Sequence, residues 1–166
     1  MTMYNGRVTR IVDGSGISLV RKKSELLFTE LSLTIPQTAT NLIGLLKTLT
    51  PASGVFAPFF NTTTNKLVVF NVDFTCSLKI NIIGNWSGGS DNRSMEISFL
   101  GTTGNRNVQS RDAAVTYDEL SFFQPISVDA GGNVATNGTV VTIKSNGGNF
   151  TANTILLIAE QMVPTP

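Results

Sequence analysis

The sequence predicts an all-β fold, a β-sandwich of the jelly-roll kind, and three observations predict it. Apolar and polar residues alternate with a period of two over several stretches, the signature of strands that lay one face on a core. Turns rich in glycine, asparagine and aspartate stand between those stretches and supply residues that tolerate positive φ. Segments with helical periodicity are scarce, which argues against alternating βαβ units.

Taken along the chain, the first signal is Leu27, Leu31, Leu33 and Ile35, which share a parity opposite Glu30, Ser32 and Thr34. Residues 40–49 carry Leu42, Ile43, Leu45, Leu46 and Leu49. They fit one short amphipathic helix, although Gly44 and the flanking threonines leave a strand as the alternative. The clearest strand follows: Phe74, Cys76, Leu78, Ile80 and Ile82 face one way, and Thr75, Ser77, Lys79 and Asn81 the other. Met95, Ile97 and Phe99 repeat the pattern against Ser94, Glu96 and Ser98. Residues 111–120 fit a turn of helix within a long connection. Near the end, Ile155, Leu157 and Ala159 interleave with Leu156, Ile158 and Glu160, a strand apolar on both faces. Turns are expected at 13–16, 87–92, 101–105, 130–133 and 146–149. A boundary at Pro51 then separates residues 1–50, a β-rich N-terminal arm or docking segment, from residues 51–166, a jelly roll of about seven or eight strands.

Composition narrows the function. Only 14% of the 166 residues are charged, against about 25% in ordinary soluble domains, and Asn, Thr, Ser and Gly take their place. Such a surface suits a protein that touches many neighbours. The net charge of +1 implies no global attraction to nucleic acid or to a membrane. Five basic residues, Arg7, Arg10, Arg21, Lys22 and Lys23, nevertheless lie in the first 23 against one acidic group. With Leu31 and Leu33 they are the candidates for docking on a partner; the alternative is a solvated terminal segment. No signal peptide and no apolar run of membrane-spanning length is present, so a soluble protein made in the host cytoplasm is expected. Five N-x-S/T sequons, at Asn61, Asn85, Asn92, Asn137 and Asn149, follow from the abundance of these residues.

The search for chemistry excludes more than it finds. With no histidine and one cysteine, a Ser–His–Asp or Cys–His arrangement cannot form, and a four-ligand zinc site cannot be assembled. Asp118 and Glu119 are adjacent and point to opposite faces of a strand, which does not suit a hydrolytic pair. Asp13, Asp91 and Asp129 sit in glycine-rich turns without the spacing of a calcium loop. No enzyme activity, cofactor or metal is therefore expected. Cys76 reads as a buried core residue. The adjacent aromatics Phe59 and Phe60, and Phe122 and Phe123, face both ways on a strand. They read as core on one side and as a subunit interface on the other. Trp86 either stacks on a sugar or anchors its own loop.

The run FFNTTTNKLVVFNVDFTCSLKINIIGNWSGGSDNRSMEISFLGTTG and the closing TANTILLIAEQM resemble the corresponding strands of tumour-necrosis-factor-like and C1q-like jelly rolls. The likeness covers roughly residues 55–163. Bacteriophages use similar trimeric jelly rolls as capsid cement proteins, head fibres, needle knobs and receptor-binding heads. The resemblance thus implies a virion structural protein and a homo-oligomer, most simply a trimer, although the tyrosine-rich axis of many family members is absent. The chain starts at a methionine and has no heptad run for a shaft. That favours a capsid cement or decoration protein on the capsid surface, with the major capsid protein or other virion proteins as partners. The alternative is a receptor-binding head, such as a fibre or needle knob, that recognises host carbohydrate. A small hydrolase is a third class. No nucleic acid or membrane partner is expected.

Overall fold

In a computed structural model, residues 18–88, 91–99 and 105–165 are described, with Gly16 and the backbone of three short strands before them. Arg10 and most of the expected turns at 13–16 and 101–105 lie outside the described residues. The short strands are β1 (Met3–Tyr4), β2 (Arg7–Val8) and β3 (Ile11–Val12). There follow β4 (Ser18–Phe28), β5 (Leu33–Ile35), β6 (Thr40–Asn41), α1 (Leu42–Leu46) and β7 (Ser53–Gly54). Next come β8 (Phe60–Asn61), β9 (Lys66–Leu67), β10 (Cys76–Ser87), β11 (Arg93–Phe99) and β12 (Arg106–Arg111). The chain closes with β13 (Tyr117–Ile126), α2 (Asn133–Asn137), β14 (Val141–Asn146) and β15 (Asn149–Pro164).

The strands form two main antiparallel sheets. The long sheet runs β13-β10-β15-β4-β3, with β5 on β15 beyond the end of β4, and β7 on β4. The second sheet runs β12-β11-β14-β6. Neighbours such as β10 and β15, or β11 and β14, are far apart in the chain, so the connections cross between sheets as a jelly roll requires. The predicted fold class is the observed one.

Alternation explains the core. Cys76, Leu78, Ile80 and Ile82 of β10, Leu120 and Phe122 of β13, and Ile155, Leu157 and Ala159 of β15 are buried on the inner face of the long sheet. Met95, Ile97 and Phe99 of β11 and Val141 and Ile143 of β14 are buried on the second sheet. Each such aliphatic or aromatic side chain stabilises the fold by about 1.5–3 kcal/mol. In β15 the parity changes once. The register shifts where Ile83 and Gly84 meet Thr154 and Ala152, so one extra residue, Asn153, is absorbed as a bulge. Phe150 and Ala152 before it and Ile155 after it all face the core. Gly84 is required there, because a Cβ would lie 2.2 Å from the Thr151 carbonyl oxygen.

The boundary expected at Pro51 does not separate two units. Ten consecutive residues of β4, Leu19–Phe28, pair with β15, β6 pairs with β14, and Leu42, Ile43 and Leu46 are core residues. Charge concentration suggested an arm, but Leu26 and Phe28 are fully buried and hold the segment in the sheet. The expected parity also fails: Leu26 and Phe28 face inward, Leu27 outward, and the chain turns at Glu30 with a positive φ of 57° before β5 begins. Residues 42–46 form the helix rather than the strand, capped by Asn41, whose Oδ1 accepts from the Gly44 N–H at 2.8 Å. Residues 112–115 make an Asx turn, in which Asp112 Oδ1 accepts from the Ala114 N–H at 2.8 Å, in place of the expected helical turn. α2 was not expected from a stretch that reads as a glycine turn.

Both ends of the sandwich chain lie together. Leu19 pairs with Pro164, and the Thr165 N–H donates to the Ser18 carbonyl at 2.8 Å. No helix among the described residues is long and apolar enough to cross a membrane.

Candidate assembly surface

The two sheets present different outer faces. On the long sheet, the cross-strand rows read Phe123–Lys79–Ile158–Glu25, Ser121–Asn81–Leu156–Leu27 and Glu119–Ile83–Thr154. Leu27, Ile83, Leu156 and Ile158 are half-buried, and Phe123 at the edge is 59% exposed. A hollow of about 140 Å³ lies between Phe123, Ile158, Lys79 and Glu160. On the second sheet, the rows read Ser110–Ser94–Asn146, Val108–Glu96–Lys144 and Arg106–Ser98–Thr142. There Glu96 lies 3.5 Å from Arg106 and 3.4 Å from Lys144, which satisfies its charge locally. Apart from Val108, which is 48% exposed, the second face is polar. The first carries an apolar stripe along its centre that water does not suit.

The docking residues proposed from sequence are placed as follows. Arg21 pairs with Glu160 at 3.7 Å, and Lys23 pairs with Glu25. Lys22 lies 3.8 Å from the centre of the Phe70 ring, a cation–π contact. These three side chains are tied within one sheet edge rather than carried on an arm. Arg7 is on β2, where only the backbone is described, and Arg10 lies outside the described residues. Leu31 and Leu33 are half-buried and pack against the core. Of the four aromatics proposed for an interface, Phe59, Phe60 and Phe122 are core residues with at most 3% exposure. That expectation is corrected for those three, because each has its ring inside its own chain. Phe123 alone faces outward.

The other singled-out residues have internal work. Trp86 is buried, packs edge-on against Phe150 at 4.9 Å, and donates from Nε1 to Asp118 Oδ2 at 3.3 Å. Asp118 also holds Arg111 at 2.9 Å. Trp86 is thus an anchor, and a buried tryptophan needs such a partner for its N–H. Arg93 ties two loops by donating to the Val115 and Gly88 carbonyls. Cys76 is buried, and desolvation followed by the nearby Glu160 pushes its thiol up to about 12. Among the described residues no group of three or more potential metal ligands is present.

Sequence reasoning missed the half-buried outer stripe of Leu27, Ile83, Leu156 and Ile158 as a unit. The doubly apolar strand at 155–160 signalled part of it. Leu27 was read on a core-facing parity with Leu31, Leu33 and Ile35, and Ile83 was not singled out.

Comparison with known proteins fits this architecture. The chain spans 89% of its own length and 99% of the vertex protein P5 of PRD1 in a structural superposition, with a TM-score of 0.50 and 10% identity. At that identity the likeness shows the jelly-roll fold alone. The tail needle protein of Shigella phage Sf6 is 51% identical over 141 residues, which are 85% of this chain and 50% of that protein. The chain therefore spans about half the length of the curated relative it matches, so the missing heptad run carries no weight about its place in a particle. Residues 20–161 match the family described as the Sf6-type phage tail needle knob or tip of some Caudovirales. A phage virion structural protein was expected and is supported. The needle-knob alternative is supported over the capsid cement or decoration reading, and nothing in these matches points to the capsid surface. The chain belongs to the family of Sf6-type phage tail needle knobs or tips.

Proposed function

We propose that this chain forms the knob of a phage tail needle, a structural head without a catalytic step. In this reading it is joined to other tail proteins and to further copies of itself, most simply as a trimer. The observation that carries the proposal is the family match over residues 20–161, which takes in both sheets from β4 to β15. The outer face of the long sheet supports self-association. Its stripe of Leu27, Ile83, Leu156 and Ile158, with Phe123 at its margin, is apolar, while Lys79, Glu25 and Glu160 flank it. An apolar centre with a polar rim is the anatomy of a subunit interface, and closed rings of identical chains are the common way to bury such a face.

The test is location and copy number in purified particles. Gold-labelled antibody against this chain should mark the tail tip, with a few copies per particle. Label spread over the shell in large copy number would overturn the proposal and restore a decoration role.

A further inference from the structure

Where the two sheets part, at the end where β11 and β13 run out, a cleft of about 360 Å³ opens. Its volume lies within the range of small-molecule sites, about 300–1,000 Å³. We propose that this cleft binds a neutral saccharide. The inference goes beyond the needle-knob reading and does not depend on it.

The floor and rim divide by chemistry. Phe99, Ile126 and Val134 line the cleft from the core side and are buried. Gln124, Asp129 and Asn133 line the rim, with Gln124 half-buried and the other two exposed. Pro125, exposed in the lining, offers an apolar surface for the C–H face of a sugar ring. Amide N–H groups donate to its hydroxyl oxygens, and the carboxylate accepts from its hydroxyl protons.

Charge selects the class of ligand. Among the described residues of the lining Asp129 is the one ionisable side chain, so an anionic ligand meets repulsion there with no described cation to offset it. A single carboxylate balances only half the charge of a divalent metal ion. A neutral polyhydroxylated molecule meets a partner for both its donors and its acceptors.

The rim is also held in place. The Gly132 N–H donates to the Asp129 carbonyl at 2.9 Å. Asn133 Oδ1 accepts from Asn137 Nδ2 at 2.8 Å, which fixes the amide and directs its own N–H groups elsewhere. The loop before them is pinned to the neighbouring loop, where Asp73 N donates to the Val128 carbonyl at 2.6 Å and Asp73 Oδ1 accepts from the Ala130 N–H at 2.9 Å. A rim ordered before the ligand arrives lowers the entropy lost on binding.

The experiment is saturation-transfer NMR on the whole chain with glucose, galactose, mannose and N-acetylglucosamine as probes, and sialic acid as the anionic control. At least one neutral sugar should show transfer at millimolar concentration. Its affinity should fall roughly tenfold or more in Asp129→Ala and in Asn133→Ala, with unchanged circular dichroism and Tm. If either variant loosens the loop, Gln124→Ala on the β13 ladder gives the same readout from a strand. No transfer from any of the four neutral sugars, equal transfer from sialic acid, or binding unchanged in all three variants would overturn the proposal. The particle location of the chain is read separately, so failure here leaves the knob reading standing.

Discussion

At the scale of single residues, the buried amide of Gln161 organises the most. Its Oε1 accepts from the backbone N–H groups of Phe70 and Asn71 at 2.9 and 3.0 Å, and its Nε2 donates to the carbonyls of Asn71 and Phe74 at 2.7 and 2.9 Å. One side chain thus satisfies four backbone groups of the segment that caps this end of the sheet. Replacing it with a group of similar size that cannot hydrogen-bond leaves those groups without their partner. Gln161→Leu should cost about 3 kcal/mol, and an unchanged urea midpoint would show that water replaces the amide at no cost. Cys76 makes a second prediction. Its thiol is held protonated in the fold to about pH 12, whereas an unfolded chain releases that proton at about pH 8.5. The folded state binds the proton more tightly, so its contribution is complete below the unfolded value and is lost as pH rises toward the folded one. Stability should therefore decline over that window, and the decline should be smaller in Cys76→Ala. Burial of Cys76 was legible in the sequence, from its parity with Leu78 and Ile80. The role of Gln161 was not, because its partners lie about ninety residues away and no local pattern encodes them.

At the scale of elements, the long strands were readable and the short ones were not. β10, β11 and β15 announce themselves because a two-sided sheet forces a period of two. Strands of two residues, such as β6 and β7, are set by their distant partners β14 and β4 in the same sheets and leave no periodic trace. The reading of residues 1–50 as an arm erred for a specific reason. Arg21, Lys22 and Lys23 drew attention to charge, while Leu26 and Phe28, two residues apart on the same strand, carried the packing. Lysine and arginine stems tolerate a sheet edge when their charges are paired, as Arg21 and Lys23 are. A truncation distinguishes the two views. Deleting residues 1–23 removes the first half of β4 and the ladder from Leu19 to Lys23 against β15. The truncated chain should unfold at markedly lower temperature or fail to fold. A truncated chain with the Tm of the full one would show that an arm had been removed after all.

At the scale of the whole molecule, the contrast between outer faces connects the fold to assembly. Glu96, Arg106 and Lys144 make the second sheet's face self-sufficient in water, whereas Leu156 and Ile158 project outward from the central strand of the long sheet. The doubly apolar run at 155–160 was legible in the sequence, and it is the outer half of that run that the proposed self-association uses. The residues chosen for the contact were mostly wrong, because adjacent phenylalanines do not reveal which of the pair looks inward. Phe122 took the core and Phe123 the surface. The most direct test of this account is the mass of the chain in solution, measured by sedimentation for the wild type and for Ile158→Glu. A buried charge in the middle of an apolar contact is costly, while on a free monomer face the same glutamate meets water. The wild type should sediment at about three chain masses, as a closed ring of the simplest kind, and Ile158→Glu at one, with the same circular dichroism spectrum. A monomeric wild type, or a variant that keeps the wild-type mass, would show that the outer face of the long sheet is not where copies of this chain meet.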